Sequence, residues 1–262
     1  MKHLLLIGIL FLAGCSTSKQ VPNMLRSDPR LQDNPMVEEL NELKPLNGPV
    51  MTVGLYQFTD KTGQRKPADN VSNLSSAVTQ GAEVWVIDAL LEAGQGTWFE
   101  VVERGGMDHI LKERQLIRNT RENYEKDDPT PLAPMKFAGI LLEGGIVGYD
   151  SNVHTGGSGA RYLGVGTAAE YRVDTVTVAL RLVSVSTGRI LASVAAEKSI
   201  ASYRQGADVF KFLDLGTTIA EVETGYSVNE PTNYAVRQAI DRAVIELIYQ
   251  GVHLGLWEFA EE

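Results

Sequence analysis

The chain has 262 residues, 44% of them hydrophobic, with 24 basic against 33 acidic side chains and a formal net charge of −9. An acidic balance with no Lys/Arg stripe argues against nucleic-acid binding, and a single cysteine, Cys15, excludes an internal disulfide or a thiolate metal cluster. The length suits one or two domains with a real core.

Met1 to Gly14 carries Lys2 and then the apolar run Leu4 to Leu12, too short to span a bilayer as a stable helix. It ends in Leu12-Ala13-Gly14-Cys15, which resembles a bacterial lipoprotein signal. Cleavage would leave Cys15 as the first residue, carrying several acyl chains that anchor more firmly than one. Ser16 comes next; by resemblance to lipoprotein sorting in Gram-negative bacteria, that favours the outer membrane. Without residues 1–14 and Lys2 the chain keeps 23 basic and 33 acidic residues, a formal charge of −10. No later apolar run reaches about 18 residues, so any spanning must be done by strands closed into a barrel.

Ser16 to Pro45, with prolines at 22, 29, 35 and 45, reads as an extended tether in which Val37 to Leu40 makes one helical turn at most. Val50 to Phe58 is a first core strand, leading into a polar loop from Thr59 to Leu74. Ala82, Trp85, Val86, Ala89 and Leu90 mark one face of a helix, and Trp98 to Glu103 a strand. Met107, Ile110, Leu111, Arg114 and Ile117 repeat the helical spacing. The charged run Arg121 to Asp128, with Pro129, Pro131 and Pro134, reads as a solvated loop. Phe137 to Glu143 is another strand. Pro231 opens a last helix, with Val236, Ile240, Ala243, Val244, Leu247 and Gly251 on its buried side. Strands and helices alternate, so the body is α+β with an α/β-like order.

Between these elements, Ile146 to Tyr226 contains almost nothing that reads as helix. Period-two alternation broken by Gly and Asp makes it a series of β-hairpins. The central hairpin, Asp174 to Ser202, is the most apolar and turns at Ser186-Thr187-Gly188-Arg189. Two Gly-rich, weakly apolar ribbons flank it. An assembly that lends strands to a shared barrel needs such ribbons, and a globular enzyme rarely does.

The chemistry of catalysis is missing from the pattern. None of His3, His109, His154 and His253 forms a ligand pattern with another His, Cys or carboxylate, so no metal is expected. Gly164-Val165-Gly166-Thr167-Ala168-Ala169 fits a dinucleotide fingerprint, but Glu170 to Val176 alternates as a strand and offers no helix N-terminus for a pyrophosphate. There is no phosphate-binding G-x-x-x-x-G-K-[ST] loop and no G-x-S-x-G elbow. Glu221 and Glu223, two apart on a strand, share one face and suit a wet lumen better than an acid/base couple. No cofactor and no enzymatic activity are expected.

The runs Glu143-Gly144-Gly145-Ile146-Val147-Gly148-Tyr149-Asp150-Ser151-Asn152-Val153 and Gly156-Gly157-Ser158-Gly159-Ala160-Arg161-Tyr162-Leu163-Gly164-Val165-Gly166 are very similar to the curli secretion-channel lipoproteins, the CsgG family. So are Val185-Ser186-Thr187-Gly188, Phe210-Lys211-Phe212, Gly225-Tyr226-Ser227-Val228-Asn229-Glu230-Pro231 and Gly255-Leu256-Trp257. The similarity extends from Gly48 to Trp257. It implies an outer-membrane ring of about nine subunits, each adding two hairpins to one barrel of about 36 strands. It also implies a periplasmic vestibule, accessory curli factors, and passage of unfolded, amyloid-forming curli subunits through a narrow constriction. With no nucleotide motif, transport is expected to be passive.

On that basis residues 1–14 are the signal, 15–47 the lipidated tether, and 48–151 the first part of the periplasmic domain, including a constriction loop at 60–76. Residues 152–173 and 203–227 are transmembrane hairpins around the core hairpin 174–202, and 228–262 form the C-terminal helix and tail. The hairpin tips fall near Tyr162 to Val165 and Asp214 to Thr217. The family's constriction has an aromatic–Asn–aromatic pattern. Here Asn73 matches its Asn, Leu74 stands where Phe is usual, and Ala68 or Asp69 falls near the place of the tyrosine, so the constriction is less aromatic. In the last arm Glu221 and Glu223 are assigned to the channel lumen, since charges facing lipid would cost several kcal/mol. Two other classes stay open: a pore-free, outer-membrane-anchored periplasmic scaffold for envelope or surface-structure assembly, and a hydrolase or glycan-binding domain using the Gly-rich loops as a rim.

Overall fold

Strands that bury one face alternate, and helices that bury one stripe repeat every three or four residues. Both periods recur in the computed structural model, which describes residues 34–65, 76–124, 131–156, 169–204, 210–214 and 231–261. In chain order the elements are α1 (Val37–Asn41), β1 (Met51–Asp60), α2 (Glu83–Glu92), β2 (Phe99–Glu103) and α3 (Met107–Tyr124). Then come β3 (Ile140–Gly156), β4 (Ala169–Ser184), β5 (Ile190–Arg204), β6 (Phe210–Asp214) and α4 (Pro231–His253). The strands form one six-stranded sheet in the order β2-β1-β3-β4-β5-β6. β1 pairs in parallel with β2 and β3; all later pairs are antiparallel. The chain is therefore a mixed α+β domain. No helix among the described residues is long and apolar enough to cross a membrane.

The core lies between one face of the sheet and two helices. Val176, Val178, Leu180 and Leu182 alternate inward on β4, with Leu142 and Ile146 on β3 and Ala192, Ala196 and Ile200 on β5. α4 packs along β4 and β5, α2 packs on β1 and β2, and the two helices touch each other. The expected stripe of α2 is buried at Ala82, Val86, Ala89 and Leu90, and that of α4 at Val236, Ile240, Ala243, Val244, Leu247 and Gly251. Pro231 occupies the first helical position of α4, where a missing N–H is no loss. The turn at Ser186-Thr187-Gly188-Arg189 is present: the Ser184 N–H donates to Arg189 O at 2.9 Å, and Gly188 takes a left-handed φ of 68°.

Three expectations change. The folded body starts at Asn34, inside the stretch assigned to the tether: Leu40 and Leu43 are buried, and the Trp98 indole N–H donates to Lys44 O at 2.9 Å. Four prolines made that stretch look extended, yet Leu40 on α1 and Leu43 just beyond it are buried and dock it. Arg121 to Tyr124, read as loop, continues α3, where Arg121 in the last turn suits the helix dipole. α3 buries no residue; Met107, Ile110, Arg114 and Ile117 are half-covered, and Leu111 faces out. The strand expected at Phe137 begins at Ile140 and runs to Gly156, and the boundaries drawn at 151/152, 173/174 and 202/203 fall within β3, β4 and β5.

The C-terminal tail closes the body. Leu46 bridges Phe259, the Asn47 N–H donates to Glu258 O, and the Ala260 N–H donates to Pro45 O, both at 2.8 Å. Trp257 meets Trp98 edge-on at 5.9 Å and donates from its indole to Ile248 O at 2.9 Å. It lies flat on Gly251, where an added Cβ would come 1.9 Å from the Trp257 ring. A buried charge cluster joins α2 to α4. The Arg237 guanidinium donates to Asp241 Oδ2 at 3.3 Å and Asp88 Oδ2 at 3.0 Å, and lies 3.8 Å from Glu92 Oε2. Asp241 is fully buried, and its Oδ1 has no partner among the described residues. Burial raises its carboxyl to about 7, against the opposing pull of Arg237, with Glu92 and Asp88 adding to the rise.

Gly251→Ala is expected to destabilise the protein by about 1–3 kcal/mol through overpacking against Trp257, read as a lower urea midpoint. Asp241 binds its proton more tightly folded (about 7) than at its ordinary value of 3.8. Its contribution to stability therefore falls as pH rises from about 4 to 7. Asp241→Asn should flatten the melting temperature over that window; an unchanged slope would show that Asp241 does not titrate there.

Candidate functional site

Every residue singled out from the sequence lies outside the described residues: Cys15, the constriction-loop residues Asp69, Asn73 and Leu74, and the lumen residues Glu221 and Glu223. What the structure describes is the frame that holds two of those regions. It is the base of the constriction loop and the place where the ribbon leaves the body.

The loop base is built by short-range turn chemistry. Asp60, the last residue of β1, accepts on Oδ1 from the Thr62 N–H at 2.8 Å, an Asx turn, and from the Thr62 hydroxyl at 2.6 Å. Thr62 in turn accepts from the Gln64 N–H at 3.2 Å, across Gly63 with its left-handed φ of 65°. On the returning side Gln80 Nε2 donates to Asp60 Oδ2 at 3.1 Å and to Val78 O at 3.2 Å. Arg65 and Ser76 pair as an antiparallel bridge, and the Ala77 N–H donates to Gln64 O at 3.0 Å. Partial burial acts to raise the Asp60 carboxyl. The hydrogen bonds from Thr62 and Gln80, with the charge of Arg65, outweigh it and hold the group below the usual carboxylate range. Asp-x-Thr-Gly after a strand is a turn signal, so this clamp was readable in the sequence; the Gln80 contact, 20 residues on, was not.

The ribbon exit adjoins it. β1 pairs with β3 only as far as Asp60 opposite Ile146, after a register shift between Leu55 and Phe58 that leaves Tyr56 and Gln57 exposed. A second shift, between Ile146 and Gly148 on β3, turns Val147 outward. Bulges bend and twist a strand, and these two flank the point where β3 departs. Past Ile146, β3 continues for ten residues to Gly156, paired on one side with β4 down to Gly156 opposite Ala169. Among the described residues nothing pairs with its other side there. β5 accompanies β4 to Arg204 opposite Glu170, and β6 runs back beside it, with Phe210 opposite Arg204 and Asp214 opposite Ile200. The chain therefore reverses between Arg204 and Phe210, ahead of the expected tip at Asp214 to Thr217.

Glycine makes the crowding at the exit possible. A Cβ on Gly144 would lie 2.3 Å from Ala179 O, and one on Gly145 would lie 2.6 Å from Thr59 O. Both obstacles are main chain and cannot yield. Just beyond, Asp174 is fully buried and accepts from the Tyr149 hydroxyl at 3.2 Å and from Arg172 Nε at 3.1 Å. Burial, then the Asp174 charge, raises the Tyr149 hydroxyl, with Thr232 and Ser151 partly offsetting; it stays a protonated donor. On the opposite face Arg181 forms a two-pronged pair with Glu143. Among the described residues no three His, Cys, Asp or Glu come together as metal ligands. The arrangement is one of backbone pairing and bracing.

A family profile described as "Curli production assembly/transport component CsgG" matches residues 36–262. Proteins of that description from Salmonella typhimurium and Escherichia coli K12 are each 40% identical to this chain, covering 97% of it and 90% of their own length. Among solved structures, a lipoprotein from Neisseria meningitidis aligns with 76% of this chain and 99% of its own at 10% identity and a TM-score of 0.32.

Gly144→Ala is expected to cost about 1–3 kcal/mol, because the main chain of β4 stands in the way. Gly139→Ala, whose Cβ would meet nothing nearer than 3.9 Å, should be close to neutral. Paired denaturation curves check the contrast; equal midpoints for both variants would show that the exit is not tightly packed.

Proposed function

The chain belongs to the curli production assembly/transport component CsgG family, and on that premise we propose that it is the subunit of an oligomeric outer-membrane channel that exports unfolded, curli-type amyloid subunits. The observation that carries this is the open edge of β3. A strand that, among the described residues, runs ten residues past its last partner on one side presents there a row of N–H and C=O groups with no partner among those residues. Within a bilayer such groups must be satisfied, and only helices or closed barrels do so. Copies related by rotation satisfy them head to tail, the far edge of one ribbon pairing with the β3 edge of the next until the ring closes.

In this scheme the lipidated Cys15 holds the chain at the outer membrane, the α+β body stands in the periplasm, and the ribbons span the lipid. Asn73 and Leu74, with Asp69, line the constriction, presenting amide and apolar groups to an extended peptide without selecting a sequence. Glu221 and Glu223 face the lumen. No nucleotide-binding motif is present, so export is passive. It is driven by the entropy a confined chain regains on escape and by folding outside, while periplasmic and surface curli factors handle the client.

The full lipidated protein, solubilised in detergent, is expected to form rings visible by negative stain and to conduct in discrete steps in planar bilayers. A cysteine at Leu163 should react with maleimide added outside intact cells. Monomeric particles that conduct nothing, with Leu163→Cys protected from outside, would overturn the channel in favour of a pore-free periplasmic scaffold.

A further inference from the structure

Asp60 stands where three pieces of the molecule meet. Its main chain is the last rung between β1 and β3, opposite Ile146, and the next N–H, that of Lys61, donates to Ile146 O at 2.9 Å. Its carboxylate serves both stems of the constriction loop. Oδ1 takes the Thr62 amide and hydroxyl on the outgoing stem, and Oδ2 takes Gln80 on the returning one. A residue that only shaped a turn would need Oδ1 alone. The second oxygen, engaged by a side chain 20 residues away, ties the two stems together and to the point where the ribbon departs.

We infer that Asp60 is a positioning residue that fixes the base of the constriction loop against the ribbon exit, so that the loops of all subunits project to one radius. This rests on the channel function proposed above. A short loop between paired stems inherits its direction from those stems, and a functional constellation is only as well placed as the groups behind it. In a ring the requirement is stricter, because each subunit contributes to the same aperture and a loose stem in any of them alters it. Arg65 and Ser76 brace the same base a little further out, opposite each other in an antiparallel bridge.

The test uses full-length, lipidated rings in planar bilayers. Wild type should give one sharp conductance level. Asp60→Ala, and more mildly Gln80→Ala, should assemble into rings of the same size yet lose that single level to a spread of values. Arg65→Cys with Ser76→Cys then supplies a rescue. The Ala77 N–H to Gln64 O bond makes these residues a non-hydrogen-bonded pair, the kind with Cα atoms about 4.5 Å apart, within disulfide range. Oxidised, this crosslink in the Asp60→Ala background should restore the single level, and reduction should abolish it again. A merely structural role for Asp60 would lower the melting temperature without spreading the conductance, and the crosslink would not bring back a single level. Conducting Asp60→Ala and Gln80→Ala rings with the sharp wild-type level would overturn the inference and leave the channel standing. A wild-type protein that does not conduct would instead overturn the channel, and this role of Asp60 with it.

Discussion

A β-strand edge that leaves the folded body carries hydrogen-bonding groups that something must satisfy. In this protein that constraint falls on β3 beyond Ile146. Up to that residue β1 covers it; afterwards β4 alone accompanies it, among the described residues, as far as Gly156. Natural monomers blunt exposed edges with charge, proline or brevity. Val147 to Gly156 contains no proline and a single formal charge, at Asp150, and it is long. Among the described residues none of these devices blunts the edge.

The point where β3 leaves β1 is tightly braced. Gly144 and Gly145 admit the main chains of β4 and β1 at distances no side chain would allow. Asp174, buried between Tyr149 and Arg172, places a satisfied charge at the root of the ribbon, and removing either donor would leave that charge short of partners. Beneath, α4 spans β4 and β5, and the Trp98–Trp257–Phe259 cluster locks the N-terminal segment against the C-terminal tail. The loop base and the ribbon exit share one rung, Asp60 opposite Ile146, so the two regions rest on the same support.

The buried Arg237 cluster has a different character. One guanidinium faces three carboxylates from two helices, more negative charge than it can balance. Buried ion groups of this kind add little net stability compared with apolar packing, though breaking them is costly. Burial first, then the nearby Glu92 and Asp88 charges, push the Asp241 carboxyl up to about 7, against the pull of Arg237.

Much of this was legible in the residues themselves. The period-two runs, the Ser186-Thr187-Gly188-Arg189 turn and the stripes of α2 and α4 arise from local rules of burial and turn geometry, and those elements fall where the rules put them. Glu143-Gly144-Gly145 was conspicuous, but only the structure gives its reason, because close approach between β1, β3 and β4 is a relation among segments far apart in the chain. The docking of Leu40 and Leu43 was hidden for the same cause: prolines speak locally for a tether, while the pocket that accepts the apolar pair is made elsewhere. So was the Asp60–Gln80 tie, and so was the reversal between Arg204 and Phe210, which depends on what β5 offers as a partner. Sequence determined the core strands, α2 and α4 and the faces they bury, since those are set by neighbours within a few residues. Tertiary structure alone decided that β3 outruns β1 and that, among the described residues, its edge beyond Ile146 has no partner, because the length of a strand and the length of its partner are written in different parts of the chain.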